Sequence, residues 1–270
     1  MQFARLNGVT LHYRTIGSPQ DKPLMVFINS LGTDFRIWRD VIVRLAGEYA
    51  ILAYDKRGHG LSDVGPTPYT IEDHAADLAA LLDHIGARQA IVCGLSVGGQ
   101  VALALYAARP KLVRALILSD TAAKIGSADS WHARIKTVKA TGIEAIADGV
   151  LEGWFTPAFR DGPEFAGYRN MLIRQPVEGY VATCAALGRS DFTEVAKRIA
   201  VPTICIAGEM DRTASPAIMA DFARTIPEAR FEVIKGAGHI PCVEQPAVFA
   251  EIIRAFTIHA GTEAAIHAAR

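Results

Sequence analysis

Continuous apolar runs alternate along most of the chain with segments of helical periodicity. Runs without a charged residue are typical of strands that a sheet buries on both faces. Five such runs are residues 24–28, 50–54, 90–93, 115–119 and 202–207. The intervening segments, such as residues 37–45 and 71–85, place apolar residues three and four positions apart, which indicates amphipathic helices. This alternation predicts an α/β fold with a mostly parallel, doubly wound sheet.

The first sixteen residues follow a different pattern, in which apolar and polar side chains alternate. Asn7 and Gly8 lie at its centre, and this dipeptide favours the tight turn of a β-hairpin. We therefore expect the sheet to begin with an antiparallel hairpin. Near the other end of the chain, a strand over residues 230–234 and a helix over residues 246–258 are predicted to complete the fold.

Residues 121–191 interrupt the alternation of strands and helices. They contain no buried strand pattern, only helical stretches that carry Trp131 and Trp154. A segment of about 70 residues is too long for a plain connection in a compact domain and is typical of a functional insertion. We expect a core domain made of residues 1–120 and 192–270, and a helical lid, or cap, made of residues 121–191.

Composition argues against several classes of partner. Lys and Arg together number 28, as do Asp and Glu, so net charge favours neither nucleic acid nor an anionic membrane as a partner. No apolar run approaches the roughly 20 residues that cross a bilayer, and the N-terminus lacks a signal-peptide pattern. We therefore expect a soluble cytoplasmic protein. The sequence does not specify its oligomeric state.

The most informative motif occupies residues 94–99, Gly-Leu-Ser-Val-Gly-Gly. It follows a predicted buried strand and precedes a helix rich in Ala and Leu, so Ser96 lies at the apex of a strand-turn-helix unit. This Gly-x-Ser-x-Gly pattern is a nucleophile elbow, in which glycines permit a turn too tight for side chains. We expect Ser96 to be strained, exposed and close to a helix N-terminus, which favours negative charge.

A nucleophilic serine needs a base, and the base needs an acid to orient it. His239 and Asp211 each follow a predicted strand, so both should reach the sheet edge that carries Ser96. The order Ser96, Asp211, His239 is that of the α/β-hydrolases. Asp120, at the end of the strand before the insertion, competes with Asp211 for the role of acid, and Glu209 does so less strongly. We favour Asp211 because it follows the insertion.

The tetrahedral intermediate of acyl transfer also needs two N–H donors. One should be the amide of Val97, directly after the nucleophile, and the other an amide in the loop 29–32, where position favours Leu31. In α/β-hydrolases this loop often has the sequence His-Gly, whereas this chain has Asn29 and Ser30 at those positions. The substitution leaves open whether Asn29 or Ser30 adds a side-chain donor.

No cofactor or metal is expected. Residues 55–62 offer Asp, His and glycines, but they lack the spacing of a phosphate-binding loop and a second His at ligand distance. We interpret this segment as a structural turn beside the active site. The four cysteines, Cys93, Cys184, Cys205 and Cys242, are widely spaced and predicted to be buried, reduced thiols. Among the other histidines, we expect His12 at an ordinary polar position and His74 on the surface of a helix.

Together these motifs resemble the α/β-hydrolase superfamily over nearly the whole chain. Several segments resemble one family within this superfamily, the 3-oxoadipate enol-lactonases. Some of these segments lie in the insertion, which the fold itself does not require, so they are the more specific ones. Those segments are residues 29–33, 94–99, 154–157, 177–180 and 184–187. Members of that family open the enol-lactone of 3-oxoadipate in the β-ketoadipate route of aromatic catabolism, with a serine triad and no metal.

The resemblance implies a small lactone substrate with a free carboxylate. Trp131 and Arg134 lie three residues apart on one helical face, and with Trp154 they are candidate lid contacts to this substrate. The alternative is that both tryptophans pack the interior of the lid and Arg134 is solvated.

Two other functions stay open on this sequence. One is a general carboxylesterase or perhydrolase-like hydrolase, because the same triad serves any acyl transfer. The other is a non-catalytic binding protein with a hydrolase fold. A dehalogenase or epoxide hydrolase with an aspartyl nucleophile is excluded, since Ser96 occupies the elbow.

Overall fold

A computed structural model describes the backbone of residues 1–268 and the side chains through Ile258. Its described strands form a single eight-stranded sheet in the order β1-β2-β4-β3-β5-β6-β7-β8. The strands are β1 Gln2–Leu6, β2 Val9–Ile16, β3 Leu24–Ile28, β4 Ala50–Tyr54, β5 Ala90–Leu95, β6 Val113–Ser119, β7 Thr203–Gly208 and β8 Arg230–Ile234. In this order, β1 pairs antiparallel with β2, and β2 pairs antiparallel with β4. All neighbouring strands from β4 to β8 pair in parallel. The predicted fold class is confirmed.

The uninterrupted apolar runs form the central strands of the sheet, where both faces are buried. Every residue of β3, β4 and β5 is buried, as a strand with helices on both faces of the sheet requires. The hairpin at the edge turns at Asn7 and Gly8, whose φ angles of 49° and 80° are those of a type I′ turn.

The helices of the sheet domain cover its core through their apolar stripes. In α2, Ile71, Ala75, Leu78 and Leu82 recur every three or four positions and are buried, and a capping box of Thr70 and Asp73 begins the helix. Helix α2 packs against α3, and α1 packs against α12. The helices are α1 Arg39–Leu45, α2 Ile71–His84, α3 Val97–Ala108, α10 Pro216–Thr225, α11 Pro241–Glu244 and α12 Pro246–Ala268.

Six helices and no strand occupy the described segment between β6 and β7. They are α4 Ala128–Thr141, α5 Glu144–Trp154, α6 Pro157–Arg160, α7 Phe165–Ile173, α8 Val177–Leu187 and α9 Thr193–Ala196. We call residues 121–191, which include α4 to α8, the helical insertion; α9 begins beyond them, at Thr193, and packs against α3 of the sheet domain. Helix α4 packs against α8 and α5, and α8 also reaches α2 of the sheet domain. Among the described helices of the whole chain, none has the length and apolar character of a membrane span.

Two expectations about histidines were wrong. His74 is buried, because it shares the inward face of α2 with Ile71 and Leu78 and because α8 lies over it, with Thr183 Oγ1 3.4 Å from its Nε2. His12 is also buried, with Nδ1 2.8 Å from Asp55 Oδ2. Neither burial could be predicted from the local pattern, because each depends on a distant segment that packs over the ring.

A buried ion pair anchors the turn formed by residues 55–62. Arg57 Nε and one of its terminal nitrogens each donate to Asp77 of α2 at 2.6 Å, and Asn7 Nδ2 donates to the same carboxylate at 3.1 Å. This bidentate geometry ties the turn after β4 to helix α2.

We expect Asp77→Ala to destabilise the protein by about 3–5 kcal/mol, because it leaves the Arg57 guanidinium buried without its partner. Urea unfolding measures this change. Asp83→Ala is the matched control on the same helix, since the Asp83–Arg109 pair is about half exposed on both sides and should contribute little. Equal midpoints for Asp77→Ala and the wild type would contradict the anchoring role.

Candidate active site

Ser96 lies at a sharp turn between β5 and α3. Its φ of 57° and ψ of −119° are strained for a residue with a side chain. A Cβ at Gly94 would overlap the carbonyl of Gly98, and a Cβ at Gly98 would overlap the carbonyl of Ile28. Both glycines are therefore required by close backbone contact. We expected Ser96 to be exposed, but only 7% of it is accessible to solvent. Ser96 lines a cavity that residues of the helical insertion cover.

Asp211 and His239 meet at the same edge of the sheet. Asp211 follows β7 and His239 follows β8, and Asp211 Oδ2 lies 2.8 Å from His239 Nδ1. The Thr213 amide donates to the other carboxylate oxygen at 2.7 Å and so fixes the carboxylate plane. Burial acts to raise the pKa of Asp211, but the His239 ring and this amide outweigh it, so the pKa is lowered. His239 also lines the cavity of Ser96.

Asp120, the competing acid, has different partners. Its Oδ1 accepts a hydrogen bond from the Gly208 amide at 2.7 Å, and its Oδ2 accepts one from Ser119 Oγ at 2.6 Å. Burial, and then the charge of Asp211, raise the pKa of Asp120 well above its ordinary value. The pKa of Asp120 and the pKa of Asp211 are thus shifted in opposite directions. Glu209 accepts from the Gly236 amide at 2.9 Å.

Three of these groups are close enough together to ligate a metal ion. Within the described part of the chain, Asp120, Asp211 and His239 form the one such group, with ligand atoms that all lie within 4.8 Å of one another. His239 Nδ1 and Asp211 are already paired, and Asp120 already accepts from the Gly208 amide and Ser119 Oγ. A metal would have to displace these partners, so the donors fit a proton-transfer arrangement better.

The loop after β3 lies against the same cavity. Ser30 and Leu31 line it, whereas the amide of the buried Asn29 side chain donates to the Thr33 carbonyl within the loop. Asn29 is thus occupied locally and is not a side-chain donor to the cavity. The Leu31 amide donates no hydrogen bond to any described residue. The Val97 amide is at the first position of α3, where helix N–H groups lack intrahelical partners.

The turn of residues 55–62 contacts that loop through two side chains that sequence reasoning did not single out. Lys56 Nζ donates to the Ser30 carbonyl at 2.6 Å, and the Gly32 amide donates to His59 Nε2 at 3.1 Å. Both side chains are fully buried. Burial lowers the pKa of Lys56 to about 7 and lowers the pKa of His59 well below its usual value. The neutral His59 ring can therefore accept at Nε2.

The cavity has a volume of about 240 Å³ and extends from Ser96 into the insertion. It brings together all three candidate lid contacts, Trp131, Arg134 and Trp154. The Arg134 guanidinium lies 5.4 Å from the Trp131 ring centroid, and Trp131 Nε1 donates to a backbone carbonyl at 2.7 Å. Tyr180, which was not predicted, also lines the cavity.

Tyr180 adds a polar group to the apolar wall. Its buried hydroxyl has no hydrogen-bond partner among the described residues, and Arg134 is a charged group beside it. Burial raises the pKa of Tyr180 to about 12, so the hydroxyl keeps its proton. The sequence signal for Tyr180 was its place in the segment 177–180, which resembles the enol-lactonases.

Comparison with known proteins agrees with this geometry. The chain is 37% identical over 249 residues to 3-oxoadipate enol-lactonase 2 of Acinetobacter baylyi, and the match covers 92% of each protein. Its structure resembles that of the enol-lactonase from Burkholderia xenovorans, with a TM-score of 0.91, 35% identity, and coverage of 95% of this chain and all of that one. It also resembles a thermophilic esterase from Thermogutta terrifontis solved with malate bound, with a TM-score of 0.88, 30% identity, and coverage of 93% and 94%.

The expected family resemblance is therefore confirmed at two levels. The similar proteins named enol-lactonases match along nearly the full chain, including the helical insertion. The model of the Alpha/beta hydrolase family matches residues 25–252, which include the elbow, both strand ends that carry Asp211 and His239, and the insertion between them. This chain belongs to the alpha/beta hydrolase family.

Proposed function

We propose that this protein opens 3-oxoadipate enol-lactone to 3-oxoadipate, in the cytoplasm, during the breakdown of aromatic compounds. The observation that carries the proposal is one cavity that holds Ser96 and His239 at its base and Arg134 in its wall. Such a cavity offers a nucleophile and a cation to a small lactone with a free carboxylate. The resemblance to proteins named enol-lactonases supports this substrate over other esters.

In the proposed reaction, Ser96 Oγ attacks the lactone carbonyl while His239 Nε2 takes its proton. Asp211 holds His239 Nδ1–H at 2.8 Å and stabilises the imidazolium that forms. The lowered pKa of Asp211 keeps the carboxylate charged for this role. Collapse of the tetrahedral intermediate breaks the ring C–O bond and leaves an acyl-enzyme on Ser96.

The negative charge of the intermediate would develop on the former carbonyl oxygen. We assign its two hydrogen bonds to the amides of Leu31 and Val97, because Leu31 lines the cavity and Val97 begins the helix behind Ser96. The helix dipole of α3 favours negative charge at the same point.

Ring opening should be the easier half of the reaction. The leaving group is an enolate, which is a better leaving group than an alkoxide, so its departure depends little on proton transfer from His239. The enolate then takes the proton that His239 holds and becomes the ketone of the acyl chain, which leaves His239 neutral again. Water then attacks the acyl-enzyme with His239 as base and releases 3-oxoadipate. We expect this deacylation to limit the rate.

We infer that the helical insertion acts as a lid over the substrate. Trp131, Trp154 and Tyr180 would form its walls, and the Arg134 guanidinium would pair with the free carboxylate of the lactone. The core would then consist of residues 1–120 and 192–270, and the lid of residues 121–191. In this arrangement Trp131 supports Arg134 through the cation–π contact and so orients it.

A general carboxylesterase is the second candidate, because a solved esterase is 30% identical to this chain. Acyl transfer alone does not separate the two, since specificity resides in the cavity wall. A binding protein without catalysis is the third candidate. Reactivity of Ser96 separates it from both enzymes.

We expect Ser96→Ala to lower the hydrolysis of 3-oxoadipate enol-lactone at least about 10⁴-fold, because only the nucleophile is removed. Initial rates on the lactone and on 4-nitrophenyl acetate test this, with labelling by a fluorophosphonate as a second readout. The wild type should favour the lactone by orders of magnitude. A preference for the acetate ester would support the carboxylesterase, and a wild type that neither turns over nor reacts with the phosphonate would support the binding protein.

The two neighbouring acids make a matched pair of variants. Asp211→Asn should lower kcat about 10⁴-fold, because it favours the wrong tautomer of His239. Asp120→Asn should have a far smaller effect, since His239 Nδ1 is paired with Asp211 and an amide at position 120 keeps an acceptor for the Gly208 amide. Steady-state kinetics on the lactone measure both. The reverse ranking would reassign the catalytic acid to Asp120.

Arg134→Ala should raise KM for the lactone about 10-fold or more, by loss of a charged hydrogen bond worth about 1.5–3 kcal/mol, and leave 4-nitrophenyl acetate turnover unchanged. The acetate ester has no carboxylate for Arg134 to bind. Lys136→Ala is the control, as an exposed cation on the same helix. Full lactone activity in Arg134→Ala would remove the carboxylate clamp from the proposal.

A further inference from the structure

The turn of residues 55–62 holds the loop of residues 29–33 at two points, and neither contact has a role in the reaction described above. The first is the bond from Lys56 Nζ to the Ser30 carbonyl at 2.6 Å. The second is the bond from the Gly32 amide to His59 Nε2 at 3.1 Å. Strands β3 and β4 are parallel neighbours, so the loop and the turn leave the same edge of the sheet side by side.

The Ser30 carbonyl belongs to the same peptide unit as the Leu31 amide. A trans peptide is planar and directs its N–H opposite to its C=O, so anchoring the carbonyl also sets the direction of the N–H. Because the Ser30 carbonyl faces the buried Lys56, the Leu31 N–H is directed away from Lys56. Ser30 and Leu31 both line the cavity of Ser96, and the Leu31 amide donates to no residue that the structure describes.

The Lys56 contact also acts on the electrons of this peptide. An ammonium donor on a carbonyl oxygen draws charge from the peptide and makes its N–H a stronger donor, as in chains of hydrogen bonds that polarise one another. With a pKa of about 7, Lys56 is in this form below that pH and is a neutral N–H donor to the same carbonyl above it. Thr33 Oγ1 adds a second donor to the same carbonyl at 3.0 Å. The His59 contact meanwhile occupies the Gly32 amide, whereas the Leu31 amide keeps its N–H for another acceptor.

We propose that Lys56 is a positioning residue for acyl transfer, which acts by holding and polarising the Ser30–Leu31 peptide so that the Leu31 N–H receives the oxyanion. This inference rests on the proposed function, because it takes Ser96 as nucleophile and Leu31 as donor. It assigns Lys56 no contact with the substrate. Lys56 therefore serves the chemical step on any ester, whereas Arg134 serves one class of substrate.

Stability alone does not account for a lysine at this position. Lys56 is fully buried, and its burial lowers its pKa to about 7 although Asp55 and Asp34 oppose this shift. Replacing a buried charge by an apolar side chain of similar length is often neutral or stabilising. The Ser30 carbonyl would keep its bond from Thr33, so Lys56→Met leaves no unpaired carbonyl.

The test compares full-length Lys56→Met with the wild type on the lactone and on 4-nitrophenyl acetate, with active sites counted by phosphonate titration. We expect kcat per active site to fall about 10- to 100-fold on both substrates, while KM changes less than about threefold, because weakening one oxyanion donor acts on the transition state. Affinity for phenylboronic acid, whose adduct with Ser96 mimics the tetrahedral intermediate, should fall by a similar factor. Lys22→Met is the control, because Lys22 also donates to a backbone carbonyl, that of Gly47, but is exposed and lies outside the cavity.

Several outcomes would overturn the proposal. A kcat within twofold of the wild type, a change confined to KM, a loss on the lactone alone, or a lower kcat with unchanged boronate affinity would each do so. If Lys56→Met does not fold, Thr33→Val removes the other side-chain donor from the same carbonyl and should lower kcat and boronate affinity together; unchanged values would again contradict the proposal. A wild type inactive on both substrates would instead refute the proposed function.

Discussion

Close contact between two backbones determines the geometry of this site. The elbow at Ser96 packs so tightly that neither Gly94 nor Gly98 has room for a Cβ, and at Gly98 the obstacle is the carbonyl of Ile28, the last residue of β3. The turn that carries Ser96 therefore lies directly against the strand that leads into the loop of Ser30 and Leu31. This backbone contact brings the elbow and the loop together, and the bond from Lys56 Nζ to the Ser30 carbonyl adds a side-chain contact that holds the loop.

Burial then decides which groups near this contact carry charge. Burial, and then the charge of Asp211, raise the pKa of Asp120, and burial lowers the pKa of His59. The pKa of Asp211 is lowered because its carboxylate faces His239, which outweighs the effect of burial. The pKa values of two carboxyl groups on neighbouring strands are thus shifted in opposite directions by their surroundings alone.

The sequence predicted those features that depend on local geometry. Nearby residues suffice to recognise the strand, turn and helix around Ser96 and the glycines that flank it. They also reveal the strand ends before Asp211 and His239. Lys56 and His59 could not be recognised in this way, because their roles depend on which segments become neighbours. The one sequence signal for Tyr180 was the resemblance of residues 177–180 to the enol-lactonases. Lys56 reaches Ser30 only because β4 pairs with β3, and His74 is buried only because α8 crosses α2. The sequence pattern contains neither pairing.

The division of the chain separates the chemistry from the choice of substrate. The groups assigned to acyl transfer come from loops at one sheet edge, whereas the groups assigned to the substrate come from α4, α5 and α8 of the insertion. Because the two sets lie in different segments of the chain, the proposed substrate contacts of the insertion could be substituted without a change in the residues around Ser96, His239 or the Leu31 amide. Such a separation would allow one fold to serve different esters. A lactonase 35% identical and an esterase 30% identical to this chain do share its fold. In the proposed reaction, the wall of the cavity, rather than the triad, would therefore decide which ester is opened.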